Sequence, residues 1–354
     1  MRSLRTNKTL RTNVITYAVV VAAFVLFQAL GSAGVLSSTM KGQLVPICAY
    51  VLMALSLNLT VGILGELSLG HAGFMSVGAF AGAVTASAMQ DSVPSSALRL
   101  TVAVLVGAAL AAIVGVLIGI PVLRLNGDYL AIVTLAFGEI IKSIVNNLYI
   151  GMDVNGLHAS FLNNTIVLGE GGRMILSGPM GVPGIKKTAT FAAGFILILI
   201  ALFVIFNLVN SRAGRAIMAL RDNRIAAESV GINVTKYKLM AFVISAAIAG
   251  AGGALYGQAQ NAIIATKFDF NTSILILVFV VLGGMGNMLG SILAAALLTV
   301  LPELLRSLND YRMLIYAIEL ILMMLFNSAP AMIQWREQMT EKLRKKFGKE
   351  KKEG

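Results

Sequence analysis

The sequence predicts an all-α, polytopic membrane protein: a helical bundle of about ten membrane elements with both termini in the cytoplasm. Three observations carry this. Hydrophobic residues make up 57% of the 354 and charged residues only 12%, where soluble domains carry about 25% charged. The apolar residues gather into runs about 20 residues long, enough to cross a hydrocarbon core as helix. A transmembrane barrel would show short alternating segments instead. Finally, the net charge of +12 is concentrated in three stretches, and Lys and Arg beside membrane helices mark the cytoplasmic side.

The elements follow in order. Residues 1–13 form a basic head with Arg2, Arg5, Lys8 and Arg11 and no acid. The first run, 14–36, is too long for the apolar part of a cleaved signal and reads as a retained helix. Further runs lie near 43–64, 67–90, 98–123, 129–150, 189–210, 239–260, 272–305 and 311–327. Gly283-Gly284-Met285-Gly286-Asn287 interrupts the run 272–305 and divides it into two short elements; one long kinked helix is the alternative. Small residues four apart, at Gly78/Gly82, Gly115/Gly119, Gly253/Gly257 and Gly286/Gly290, predict close helix packing in lipid.

The insert 212–238 holds six basic and two acidic residues, and the tail from Arg336 eight and four. Head, insert and tail each carry +4, the whole excess. All three are expected in the cytoplasm. Six crossings from inside return the chain inside at the insert, which agrees. The membrane domain is then 14–330, with 331–354 a basic cytoplasmic tail that suits a membrane surface and not nucleic acid. By the same count 151–188 is extracytoplasmic, and its Gly and Pro predict a turn cluster or a loose loop.

Candidate chemistry is sparse. One cysteine, Cys48, excludes a disulfide framework, and two histidines, His71 and His158, leave no His-based metal centre. No phosphate-cradling glycine loop is present, so no cofactor is expected, and any energised work would draw on ATP hydrolysed by a partner or on an ion gradient. Glu139, Lys142, Asn146 and Asn147 share one helical face; of these Glu139, Lys142 and Asn146 are candidates for a pathway or for helix pairing, since ionisable residues inside a membrane are functional candidates by default. His71 lies within a small, polar, Gly-rich stretch, Leu67–Phe74, that opens the third run, and joins them as a pathway or pairing candidate. Gradient-driven carriers carry several intramembrane carboxylates; here Glu139 stands almost alone, with Glu66, Asp128 and Glu319 near run ends.

The insert itself predicts a short helix over Arg221–Gly231, rich in Ala, Arg and Glu and ended by Gly231. Ile217, Leu220, Ile225, Ala226, Val230 and Ile232 would give it one apolar side. Such a helix lies on a membrane or enters a partner's groove. Ile225-Ala226-Ala227 followed by Gly231 resembles the EAA–xxx–G loop of ABC importer permeases, with Ile225 where Glu often stands.

The wider context resembles the branched-chain amino-acid ABC permease family, M-type subunit, over about residues 40–327. Carrying the likeness are GDYLAIVTLAFGEIIKSIVNN from Gly127, RAIMALRDNRIAAESVGINVTKYKLMAFVISAAIAGAGGALYG from Arg215, VVLGGMGNMLGSILAAALL from Val280, LSLGHAGFMSVGAF from Leu67 and SGPMGVPGI from Ser177. After Pro330 the chain departs from the family, with Ala331-Met332-Ile333-Gln334-Trp335 in place of a glycine-rich ending.

The resemblance implies a multi-pass subunit of the bacterial inner membrane, with no enzymatic activity of its own, that moves leucine, isoleucine, valine or related amino acids inward. It implies a second permease subunit in a heterodimer, two cytoplasmic ABC ATPases and an extracytoplasmic substrate-binding protein received near 151–188. Arg221, Ala226, Ala227 and Gly231 become the expected ATPase-coupling residues. A permease of the same family for urea or amides, or a self-contained secondary carrier or channel, are the competing expectations.

Overall fold

The structure, a computed structural model, describes residues 2–304 except 35, 36, 91, 126, 154, 155, 164, 167, 170 and 171, together with 317, 318 and 321. The tail 331–354 and most of the run 311–327 lie outside the described residues. Residues 1–297 form one compact unit and 298–354 a second.

The described helices are α1 (Arg2–Ser32), α2 (Ser38–Asn58), α3 (His71–Ala88), α4 (Ser96–Val122), α5 (Asp128–Asn146), α6 (Phe191–Asn210), α7 (Arg212–Asp222), α8 (Arg224–Ser229), α9 (Val234–Ala259), α10 (Phe270–Gly283) and α11 (Met288–Leu304). Among the described residues six stretches are long and apolar enough to cross a membrane: Asn13–Ser32, Ser38–Leu64, Ser96–Val122, Phe191–Asn210, Val234–Ala259 and Ala265–Gly283. α3 and α5, 18 and 19 residues long, lie outside that set. The starts of α4, α6, α9 and α10 follow from capping chemistry: Ser95, Thr190, Asn233 and Asp269 each accept a backbone N–H from the first turn of the helix that follows.

α9 lies at the centre of the bundle against α2, α3 and α4. Glycine makes this possible. A Cβ on Gly78 would fall on the Gly250 carbonyl oxygen, one on Gly250 would stand 2.6 Å from the Gly107 carbonyl oxygen, and one on Gly107 2.9 Å from that of Gly78. Three backbones therefore touch with no side chain between them, the close approach that stabilises helix pairs in lipid. Gly253 and Gly257 meet Met75 and Ala79 of α3 in the same way. Gly286 differs from the expected pattern. It has φ +84° and sits in the turn between α10 and α11, so Gly286/Gly290 is no helix face. Gly290 instead crosses Gly283 within that hairpin. The run 272–305 is thus two helices, as its central glycines predict.

The segment between α5 and α6 departs from a purely helical chain. Three antiparallel strands, β1 (Leu148–Asp153), β2 (Gly156–Phe161) and β3 (Arg173–Ser177), form a sheet in the order β2-β1-β3. Its fastening is long-range: Arg173 Nη2 donates to the Ser87 carbonyl at 2.6 Å. Farther along, Val182 pairs with Ile263, Ile185 N donates to Asn261 O at 2.8 Å, and Thr188 Oγ1 donates to Gln258 Oε1 at 2.9 Å. Neither a loose loop nor turns alone describe 151–188.

Candidate functional site

The insert 212–238 holds α7, α8 and the first turn of α9. Asn223 is extended (φ −157°, ψ 105°) and ends α7; its side chain then accepts the Ala226 N–H at 3.0 Å and starts α8. The single helix expected over Arg221–Gly231 breaks there because Asn caps a new N-terminus more favourably than it continues an old helix. The break also separates the apolar residues. Ile217 and Leu220 point into the protein, while Ile225 is 80% and Val230 75% exposed. One apolar side has become two, facing opposite ways.

α8 is held from beneath. Ala227, 4% exposed, packs with Leu220, Val234, Ile232 and Tyr237. At its end Gly231 N donates to Glu228 O at 2.9 Å, Ile232 N donates to Ala227 O at 3.1 Å, and Gly231 has φ +84°. This is the paired bonding of a helix closed by a left-handed residue. The Ala–xxx–Gly spacing thus has a physical meaning: the alanine is small enough to anchor, and the glycine four residues on closes the helix. Ala226, beside it, is exposed. Arg224 Nε and Glu228 Oε1, 3.4 Å apart, flank the exposed side.

Arg221 links this knuckle to the membrane helices. Its Nη1 donates to the Gly62 carbonyl at 2.9 Å, and its Nε and Nη2 donate to Asp222 Oδ1 at 3.2 and 3.0 Å. Gly62 belongs to a π-helical turn, Leu59–Leu64, that extends α2. A cation there satisfies one of the carbonyls left open at a helix end. The Arg221 stem crosses Gly65 at its Cγ, where a Cβ would collide. One turn earlier in α2, Asn58 Oδ1 accepts Gly286 N at 2.7 Å and its Nδ2 donates to Ser291 Oγ at 2.9 Å. Lys238 and Glu66 form a second tie, an ion pair 4% and 12% exposed. The knuckle, the end of α2 and the α10–α11 turn are therefore one bonded unit.

His71 is buried away from this surface. Its Nε2 lies 2.8 Å from Ser56 Oγ and 3.0 Å from Ser245 Oγ. Both hydroxyls give their protons to carbonyls, Ser56 to Ser245 O and Ser245 to Ser56 O, each at 2.7 Å. The imidazole must then be the donor, which assigns the proton to Nε2. His71 locks α2, α3 and α9 together. Glu139 and Lys142 pair on α5, with their side chains 42% and 24% exposed; Asn146 is one turn further on that helix and half-buried. The structure does not bring them to His71. Sequence reasoning missed Glu66, Asn58 and Gly62, whose partners lie 172, 228 and 159 residues away.

Comparison with known proteins agrees with this architecture. The profile of the family described as "branched-chain amino acid transport system / permease component" matches residues 39–326. The chain is 38% identical over 302 residues to the high-affinity branched-chain amino acid transport system permease protein LivM of Salmonella typhimurium, covering 82% of this chain and 69% of that one. To its Escherichia coli counterpart it is 37% identical over the same shares. A nucleoside ABC transporter permease protein of Lactococcus lactis is 25% identical over 55% of this chain and 59% of its own. No solved structure matches. With the family profile spanning residues 39–326 of 354, this multi-pass membrane chain belongs to the permease components of branched-chain amino acid transport systems.

Proposed function

We propose that the chain carries leucine, isoleucine and valine into the cytoplasm as one of two membrane subunits of an ATP-driven importer, and that α7–α8 is where an ATPase docks. One observation carries the docking reading: α8 and its C-terminal cap expose Ile225 and Val230, while Ala227 packs against Leu220 of α7 and Val234 and Tyr237 of α9, and Arg221 at the end of α7 bonds the turn that extends α2. Large apolar side chains on a short, rigidly held helix are suited to a protein groove. A push on α8 passes through Arg221 to Gly62 and on to the α10–α11 turn through Asn58.

The orientation follows from charge. With the basic head inside, α1, α2, α3, α4, α5 and α6 cross in turn and bring α7–α8 to the cytoplasm. α9, α10 and α11 cross next, and the run 311–327 returns the basic tail inside, about ten crossings in all. The sheet then faces outward, positioned to receive a binding protein. The aliphatic substrate follows the names of the more similar relatives. ATP is held by the partners, and the membrane partner is a second, different permease subunit.

Reconstitution tests the reading. Liposomes holding this chain with a second permease, two ATPases and the binding protein should take up leucine only with ATP inside the complex's reach. Ion-gradient-driven uptake by the purified chain alone would overturn it. The pair Ile225→Asp with Val230→Asp should leave the bundle folded and lose the ATPases on purification, an effect of at least about 2 kcal/mol if these are the interface anchors.

A further inference from the structure

We infer that Glu139 and Lys142 form a head-group site that takes the ammonium and carboxylate of the amino acid in transit. This rests on the importer reading above. α5 buries Leu130, Ala131, Thr134, Ile141 and Val145, while Ile132, Ile140 and Ile144 are exposed on the other side. On that open side sits an ion pair. At 1.5 Å per residue Glu139 and Lys142 lie roughly 16 and 21 Å along a helix of about 28 Å, inside a hydrocarbon layer about 30 Å thick. Charged side chains at such depth face water or protein and not lipid.

The surroundings select among occupants. Glu139, Ile140, Ser143, Ile144 and Asn147 line an open depression of about 290 Å³, with Phe161 of β2 at its edge. It offers one carboxylate, one ammonium nearby, two hydrogen-bonding side chains and an apolar rim. An aliphatic α-amino acid has the complementary set: an ammonium, a carboxylate and a hydrocarbon tail. Such a zwitterion exchanges the internal Glu139–Lys142 pair for two intermolecular pairs with no change in net charge. A nucleoside offers neither charge. The depression adjoins the sheet, on the side from which substrate enters.

The test uses the complete complex in liposomes and reads leucine moved per ATP hydrolysed. Glu139→Gln and Lys142→Gln should each lower that ratio about tenfold, the loss of one charge-assisted contact. The exchange of both, Glu139→Lys with Lys142→Glu, should not restore it. Ser143→Leu, which fills the depression and removes no charge, should lower it too. Ser143→Cys should react with a water-soluble thiol reagent, since the chain's own Cys48 is buried, and leucine should slow that reaction while adenosine does not. Restoration by the exchange, an unchanged ratio in the single variants, or loss of the second permease from the purified complex would each overturn the site. Failure of the unaltered complex to take up leucine with ATP would instead count against the importer reading.

Discussion

At Gly231 no atom lies within 4 Å of where a Cβ would stand, yet the backbone has φ +84°. The position selects glycine by conformation and not by crowding. Gly231→Val should destabilise the end of α8 by about 1–2 kcal/mol, whereas Gly231→Asn should cost less, because Asn visits this region more readily. Amide exchange at Ala227–Ile232 and retention of ATPases during purification would show it; wild-type behaviour of the valine variant in both would remove α8's closure from the coupling argument. The Glu66–Lys238 pair calls for a different test. Both groups are nearly buried, so removing one leaves a desolvated charge. Lys238→Met should cost about 3–5 kcal/mol, and adding Glu66→Gln should recover much of it. Thermal unfolding in detergent of the single and double variants measures the difference.

Between elements, the decisive contacts are backbone on backbone. Gly253 of α9 stands against Met75 of α3, where a Cβ would come 2.8 Å from the carbonyl carbon. Gly253→Leu should therefore push α9 off α3 and cost at least about 1–3 kcal/mol, read as a lower unfolding temperature and a smaller folded yield. Much of this packing is legible in the sequence. Helices as long as α4 and α9 announce themselves by apolar length, and the glycine pairs at 78/82 and 253/257 mark the faces that meet. The hairpin of α10 and α11 is legible from Gly283-Gly284-Met285-Gly286-Asn287. The sheet is not. β1 continues an apolar run that looks helical, and β3 gains its place from Arg173 reaching Ser87, 86 residues earlier. The knuckle is half legible. Gly231 shows where α8 ends, but Ile225 and Ile217 look alike until Asn223 turns the chain between them. The partners of His71 come from α2 and α9, and local pattern carries no trace of them.

For the molecule as a whole, the central place of α9 sets an order of assembly. The chain leaves the ribosome from its N-terminus at about 5–20 residues per second, so α9, ending at Ala259, follows α4, ending at Val122, by roughly 7–27 seconds. Throughout that interval Gly78, Gly82 and Gly107 lack their helix, and Ser56 and His71 sit in the bilayer without Ser245. α2, α3 and α4 are therefore a waiting intermediate whose polar and notched surfaces can be read as unfinished. A chain stopped at residue 233 should be cleared by membrane proteases faster than one stopped at residue 260, and pulse-chase half-lives would compare them. Equal half-lives would mean that the first helices are stable without their keystone. The glycines that let α9 fit so closely thus also define a window of vulnerability during birth.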